Sequence, residues 1–210
     1  GAIDTSAAPS GTPSTSVPAS ILTLPSQSSV PCIRLGPTAL PGKGELVAFD
    51  AEFVTVQLEQ AEVNAAGQRV VVSEARQNVA RVSLVRGGKR DLEEGAAPPP
   101  LEVISDDYVI PSETILDFLT RFSGIVAEDL QPGVSKNAVV HNRTAYLKLR
   151  MFVDRGCIFV GHGLNTDFET ANIFVPKDQI LDTVELWRLP GQRKLSLRFL
   201  AAYFLKEDIQ

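Results

Sequence analysis

Cysteine is nearly absent from these 210 residues: two occur, beside one methionine, one tryptophan and two histidines. Cys32 stands in a polar stretch and Cys157 ahead of an apolar run, so neither a disulfide framework nor a thiolate zinc site can be built. That scarcity suits a reducing intracellular compartment, and a cytoplasmic location is the expectation. Long hydrophobic runs are missing as well. No stretch approaches the ~20 apolar residues of a membrane span, and no charged-then-apolar leader pattern opens the sequence, so no membrane partner is expected. Positive charge is in short supply: 20 Lys and Arg against 25 Asp and Glu leave a net charge of −5. This argues against broad electrostatic capture of nucleic acid, but not against a site that holds only the end of one strand. Arg188, Arg193, Lys194 and Arg198 form a local basic stretch that reads equally well as a binding patch or as a solvated loop and helix face.

Charge is also scarce in residues 1–40, where Asp4 and Arg34 stand alone among Pro, Ser, Thr and Ala. Such a segment cannot bury enough apolar surface to offset the entropy of ordering it and reads as a linker. A folded domain is expected over residues 43–210. Within it, a long strand covers Leu46 to about Leu58, and Asn64–Gly67 turns the chain towards a hairpin return at Arg69–Val72. Val79 to Arg86 alternates as a second main strand, and Leu101–Ile104 forms a third after a loop. Ile115, Leu116, Leu119 and Phe122 fall at helical spacing up to Gly124, and a longer helix is expected from Ala138 to Arg155. Cys157–Val160 is a short, fully buried strand; a helix starts near Leu164, Ile180–Val184 is extended, and Ser196 caps a last helix. Strands first, then alternating helices and strands, give an α/β fold with a mixed sheet.

Inside the first strand lies Asp50-Ala51-Glu52, flanked by apolar residues. Alternation puts both carboxylates on one face. Adjacent acids repel and lose water unless cations or donors compensate them, and hard divalent cations near phosphate are a common reason for such a pair. Asp-x-Glu also occurs at hydrogen-bonded strand edges, so the pair alone leaves both readings open. Asp167 follows the buried strand and Gly161-His162-Gly163, in the first turn of a helix, where it either completes an oxygen site with Asp50 and Glu52 or merely favours the helix N-terminus.

The order Asp-x-Glu on a first strand and Gly-His-Gly-Leu-x-x-Asp-Phe at a later helix start resembles the DEDD superfamily of 3′→5′ exonucleases. Further stretches narrow the likeness to its poly(A)-nuclease branch. They include Asp106-Asp107-Tyr108-Val109, Phe122-Ser123-Gly124-Ile125, Tyr146–Arg150, Val175–Gln179, Leu181–Val184 and Ser196–Ala201. The resemblance covers about residues 43–210. It implies the ribonuclease H-like α/β fold, a central mixed β-sheet flanked by helices. It also implies a site of Asp50, Glu52 and Asp167 holding two divalent cations, Mg²⁺ or Mn²⁺, with Asp50 bridging them. His162 is expected to shape the site or touch substrate rather than bind metal. Phe53, next to the acids, either stacks on the terminal nucleotide or belongs to the core. His141 reads as solvent-facing, and Asp182 as a structural acid bonding the turn after it.

By the same resemblance the activity would be hydrolysis of the single-stranded poly(A) tail of messenger RNA from its 3′ end, releasing 5′-AMP. The partners would be a regulatory pseudokinase subunit and poly(A)-binding protein. The family's last motif, a His and then an Asp on a further helix, has no counterpart up to Gln210. The expectation for these residues alone is therefore a domain truncated before that motif, with weak metal binding and little turnover. The rival readings are another DEDD exonuclease acting on small RNA or DNA, and a non-catalytic docking module.

Overall fold

A computed structural model describes residues 40–89, 101–188 and 190–209; the expected linker, 1–40, falls almost wholly outside them. Eight strands are present among the described residues: β1 (Glu45–Gln57), β2 (Gln60–Val63), β3 (Arg69–Ser73), β4 (Arg76–Lys89), β5 (Glu102–Ile110), β6 (Ala138–His141), β7 (Ile158–Gly161) and β8 (Ile180–Asp182). Six of them form a mixed sheet in the order β6-β5-β4-β1-β7-β8. The β1–β4 and β4–β5 pairs are antiparallel; β5–β6, β1–β7 and β7–β8 are parallel. The helices are α1 (Thr120–Ser123), α2 (Asn142–Asp154), α3 (Leu164–Thr170), α4 (Thr183–Leu186) and α5 (Leu197–Leu200), the last running into a wider turn over Ala201–Leu205. This is the ribonuclease H-like α/β architecture. No helix among the described residues is long and apolar enough to cross a membrane.

β1 lies at the centre because its two faces differ. Val47, Phe49 and Ala51 are buried in the main core with Leu84, Leu149, Phe152, Phe159, Leu164 and Phe168. The opposite face carries Ala48, Asp50 and Glu52, then enters a second, smaller cluster at Val54, with Ala80, Ile125 and Leu130. Between Glu52 and Phe53 the register slips: Glu52 faces Arg81, but Phe53 faces Val79. Such a bulge increases twist and re-aims the side chains beside it.

Three expectations change. Ile115 to Phe122 is not one helix, for only Thr120–Ser123 is helical, and Leu116 and Phe122 are exposed. The backbone before it is captured by β1 instead. Leu116 N–H donates to the Thr55 carbonyl and Thr55 N–H to the Asp117 carbonyl, each at 2.8 Å. Those bonds satisfy polar groups at the strand end that a helix would leave unpaired, while Ile115 and Phe118 pack on the second cluster. Ala138–His141 is strand, not helix: its two valines extend the open edge of β5, Tyr108 facing Val139 and Val109 facing Val140, where β-branched residues fit well. α2 then begins at Asn142 and buries Ala145, Leu149, Phe152 and Val153, helical spacing on one face. The Arg69–Ser73 return pairs with β2 as the turn residues imply, and the Ser196 side chain accepts from Phe199 N–H. β8 hands over directly to α4 at Thr183, so the extended piece is shorter than its sequence suggests.

Candidate active site

Asp50 and Glu52 project from β1 onto the face away from the main core. Cross-strand pairing sets them in two rows: Asp50, Ser83 and Asp106, then Glu52, Arg81 and Tyr108. β7 pairs with β1 only over Leu46–Ala48, so both acids lie beyond the end of that neighbour. The third acid arrives from α3. Phe168, beside Asp167, stacks on Phe49, beside Asp50, with ring centroids 5.2 Å apart; Phe159 of β7 meets both rings edge-on at 6.2 and 5.6 Å. Every element carrying a site residue thus contributes one ring to the same contact.

The turn before α3 is held closely. An atom added at Gly161 would collide with Leu164 and come within 2.9 Å of the Phe49 carbonyl oxygen, so only glycine lets β7 and α3 lie this near β1. Gly163 opens the helix in the left-handed region at φ 86°. Asp182 is structural, as its place in the sequence suggests: its carboxylate accepts from Gly163, Leu164 and Val184 N–H, all at 2.9 Å. One acid therefore ties together the starts of α3 and α4.

The three expected site acids lie within one another's field. Burial pushes the Glu52 carboxyl up to about 7, helped by the charges of Asp50 and Asp167 and opposed by Arg81. Asp167 is pushed up to about 6 by burial, then by Asp50 and Asp182. Asp50 is raised by burial against the pull of Arg81 and a backbone hydrogen bond. Each carboxyl thus lies in surroundings that disfavour its own charge, which is the electrostatic demand of a cation site. Among the described residues, no three acidic, histidine or cysteine side chains close into a ready-made ligand cage.

His162 is half-buried at the end of β7. The Thr183 hydroxyl donates its one hydrogen to the Gly161 carbonyl at 2.8 Å, so the 2.9 Å contact between His162 Nδ1 and that oxygen has the ring donating. Phe53 is partly buried against the main core, on the side away from the acids, which favours the core reading over a stacking surface. His141 is exposed at the start of α2. Cys157 is wholly buried, and burial pushes its thiol up to about 11, well away from a reactive thiolate. In the basic stretch, Arg188 pairs with Glu185 and Arg198 with Asp208, both on the surface. Beside Asp106 and Tyr108, which belong to one of the resemblance stretches, the rows contain two residues that the motifs do not single out, Arg81 and Ser83. Their signal was the alternation of β4, whose polar positions 81 and 83 must share a face with the acids of an antiparallel neighbour.

Residues 47–210 match the RNase_T family, described as Exonuclease. The catalytic subunit PAN2 of the PAN2-PAN3 deadenylation complex from Cryptococcus neoformans is 50% identical over 172 residues, 81% of this chain and 14% of that protein. Its Homo sapiens counterpart is 43% identical over 171 residues, with the same shares. The chain thus spans about one-seventh of the length of these relatives. Among solved structures, the Saccharomyces cerevisiae PAN2 pseudoubiquitin-hydrolase-RNase module superposes with a TM-score of 0.67 at 38% identity, covering 84% of this chain and 26% of that one. The same organism's Pan2 UCH-Exo module in complex with AACCAA RNA gives 0.66 at 40% identity, over 81% and 26%. From its acids to its helices, the chain belongs to the exonuclease family, on the branch that carries the PAN2 catalytic subunits.

Proposed function

We propose that this domain is a metal-dependent 3′→5′ exoribonuclease that shortens poly(A) tails and releases 5′-AMP. The observation that carries the reading is the gathering of Asp50, Glu52 and Asp167 on the open face of the sheet, each raised by burial and none ion-paired among the described residues. Among the described residues, the side chains of Glu52 and Asp167 accept no hydrogen bond from the protein. Three hard oxygen donors short of compensation fit Mg²⁺ or Mn²⁺. Two such ions, when bound, would lower the pKa of the attacking water and stabilise the leaving 3′ oxygen.

The chain's own residues provide the rest. Asp50, Glu52 and Asp167 would hold the ions. Asp182 and Gly161 fix α3 so that Asp167 stays opposite β1. His162, held through Nδ1 by the Thr183 hydroxyl, offers the rest of its ring to the terminal nucleotide. Closely similar proteins bear the name of deadenylation-complex catalytic subunits, and a related module is described with RNA; both support poly(A) as substrate and a regulatory subunit as partner. Poly(A)-binding protein and a cytoplasmic setting belong to the same reading.

The test is incubation of this domain extended through the family's last motif with 5′-labelled oligo(A), oligo(U) and single-stranded DNA, with Mg²⁺ and with chelator. Stepwise loss of single adenylates from oligo(A), abolished by chelator, is the expected result. Equal degradation of all three would point to another substrate in the same superfamily. No cleavage and no ion binding by calorimetry would leave a docking module.

A further inference from the structure

The reading above leaves Arg81 without a task, yet its setting is built. It stands across from Glu52 on one side and Tyr108 on the other, in one row on the open face. Asp106 grips it side-on: Nε donates to Oδ1 at 2.8 Å and Nη2 to Oδ2 at 2.9 Å. The Ser83 hydroxyl donates to Oδ1 at 2.9 Å, and the guanidinium carbon lies 5.1 Å from the centre of the Tyr108 ring. Asp106 is 8% exposed and Arg81 33%, so the acid is the buried anchor and the cation reaches outwards.

That grip occupies one edge of the guanidinium. Among the described residues, Nη1 has no hydrogen-bond partner, and no unpartnered side-chain nitrogen is buried; the second edge therefore opens to solvent. It presents a rigid pair of N–H donors on a group that stays charged at any working pH, a shape that matches two oxygens of a phosphate. Arg81 acts on both Asp50 and Glu52 through its charge, but its ion pair is with Asp106. A strand with one negative charge per nucleotide must pass this acidic row, and a fixed cation there removes repulsion where it is greatest.

We propose that Arg81 contacts substrate: its free guanidinium edge takes non-bridging oxygens of a phosphodiester in the bound RNA strand, with Asp106, Ser83 and Tyr108 as positioning residues. The inference rests on the nuclease reading of the neighbouring acids. It is tested on the domain extended through the family's last motif by the KM and kcat for oligo(A), and by the salt dependence of binding labelled oligo(A) in chelator. Arg81→Lys keeps a charge against Asp106 but gives up the second donor pair. The expected loss falls on KM, about tenfold, rather than on kcat, and the slope of log K against log salt drops by about 0.7. The double variant Arg81→Met/Asp106→Leu removes both charges together and guards against a misfolded single variant; its melting temperature should stay close to the parent's and its KM should rise as in Arg81→Lys. Folded variants with unchanged KM and salt slope overturn the proposal. Cleavage by the parent with a slope indifferent to Arg81 defeats this proposal alone. An Arg81-dependent slope without any cleavage supports the contact and defeats the nuclease reading alone.

Discussion

Asp106 and Asp107 on β5 and Asp50 and Glu52 on β1 are two acidic pairs in one sheet, and β4 lies between them. The outer pair is the more deeply buried, 8% and 4% exposed, yet each member has its own cation. Arg81 clasps Asp106. Lys148 Nζ donates to both oxygens of Asp107, at 2.8 and 2.7 Å, and the Ser105 hydroxyl adds a bond of 2.6 Å. Burial alone would raise Asp106; the hydrogen bonds from Arg81 and Ser83, with the charge of Arg81, reverse this and hold it below its ordinary value. Asp50 and Glu52 have no such clasp and are pushed the other way. The contrast separates acids that complete the fold from acids whose compensation must come from outside it.

The sharpest way to break the contrast is at Asp50. Asp50→Ala in the domain extended through the family's last motif should reduce adenylate release from oligo(A) by roughly 10³-fold or more, as expected when a group supporting transition-state charge is lost. Its melting temperature in chelator should be unchanged or higher, because repulsion within the trio is relieved. An active Asp50→Ala protein would remove the residue from the site. The mirror experiment is Asp106→Ala, which leaves Arg81 without its partner. It should cost about 2–3 kcal/mol in urea unfolding, less than for a wholly buried pair because Arg81 is partly wet. A smaller cost than that of any Asp50 substitution would erase the distinction.

Gly161→Ala tests whether the inner acids depend on close approach of α3. Overpacking against Leu164 and the Phe49 carbonyl should cost about 1–3 kcal/mol, and Mg²⁺ affinity by calorimetry should fall with it. The smallest effect is in pH. Glu52 and Asp167 titrate near 7 and 6 in the folded chain against 4.5 and 3.8 as free groups. The native state therefore binds more protons than the unfolded one in that window, and these groups stabilise fully only at lower pH. In chelator, the melting temperature should rise as pH falls from 7.5 to 5, Glu52→Gln should flatten the rise, and Mn²⁺ at pH 7.5 should restore stability. A profile that Glu52→Gln does not alter would deny that burial strains this carboxyl.

Much of this arrangement is written locally. The alternation around Asp50 and Glu52 fixes their face, and the buried run ending in Gly161-His162-Gly163 fixes a strand-to-helix turn that delivers Asp167. Asn64–Gly67 signals the hairpin. Other parts depend on distant partners. Ile115–Phe122 has helical spacing, but nothing within it shows that Thr55 will bind its backbone. Ala138–His141 becomes a strand because β5 offers an edge. Arg81 reads as an ordinary polar position on an alternating strand until pairing sets Glu52 on one side of it and Asp106 beyond. The role of Asp182 was visible from the turn that follows it; its hold on the start of α3 was not, since that link spans 18 and 19 residues.

The three phenylalanines packed together beneath the acids have a further consequence. Beside the hydrogen bonds of Asp182, apolar ring contact, which neither salt nor protons alter, holds α3 against β1 under the carboxylates. A softened core would then show itself first as a loosened grip on ions while the chain is still folded: trimming Phe159 or Phe168 should blunt cation selectivity before it lowers cooperativity of unfolding. Substitutions in that ring contact would thus retune the site from underneath, without touching any of its acids.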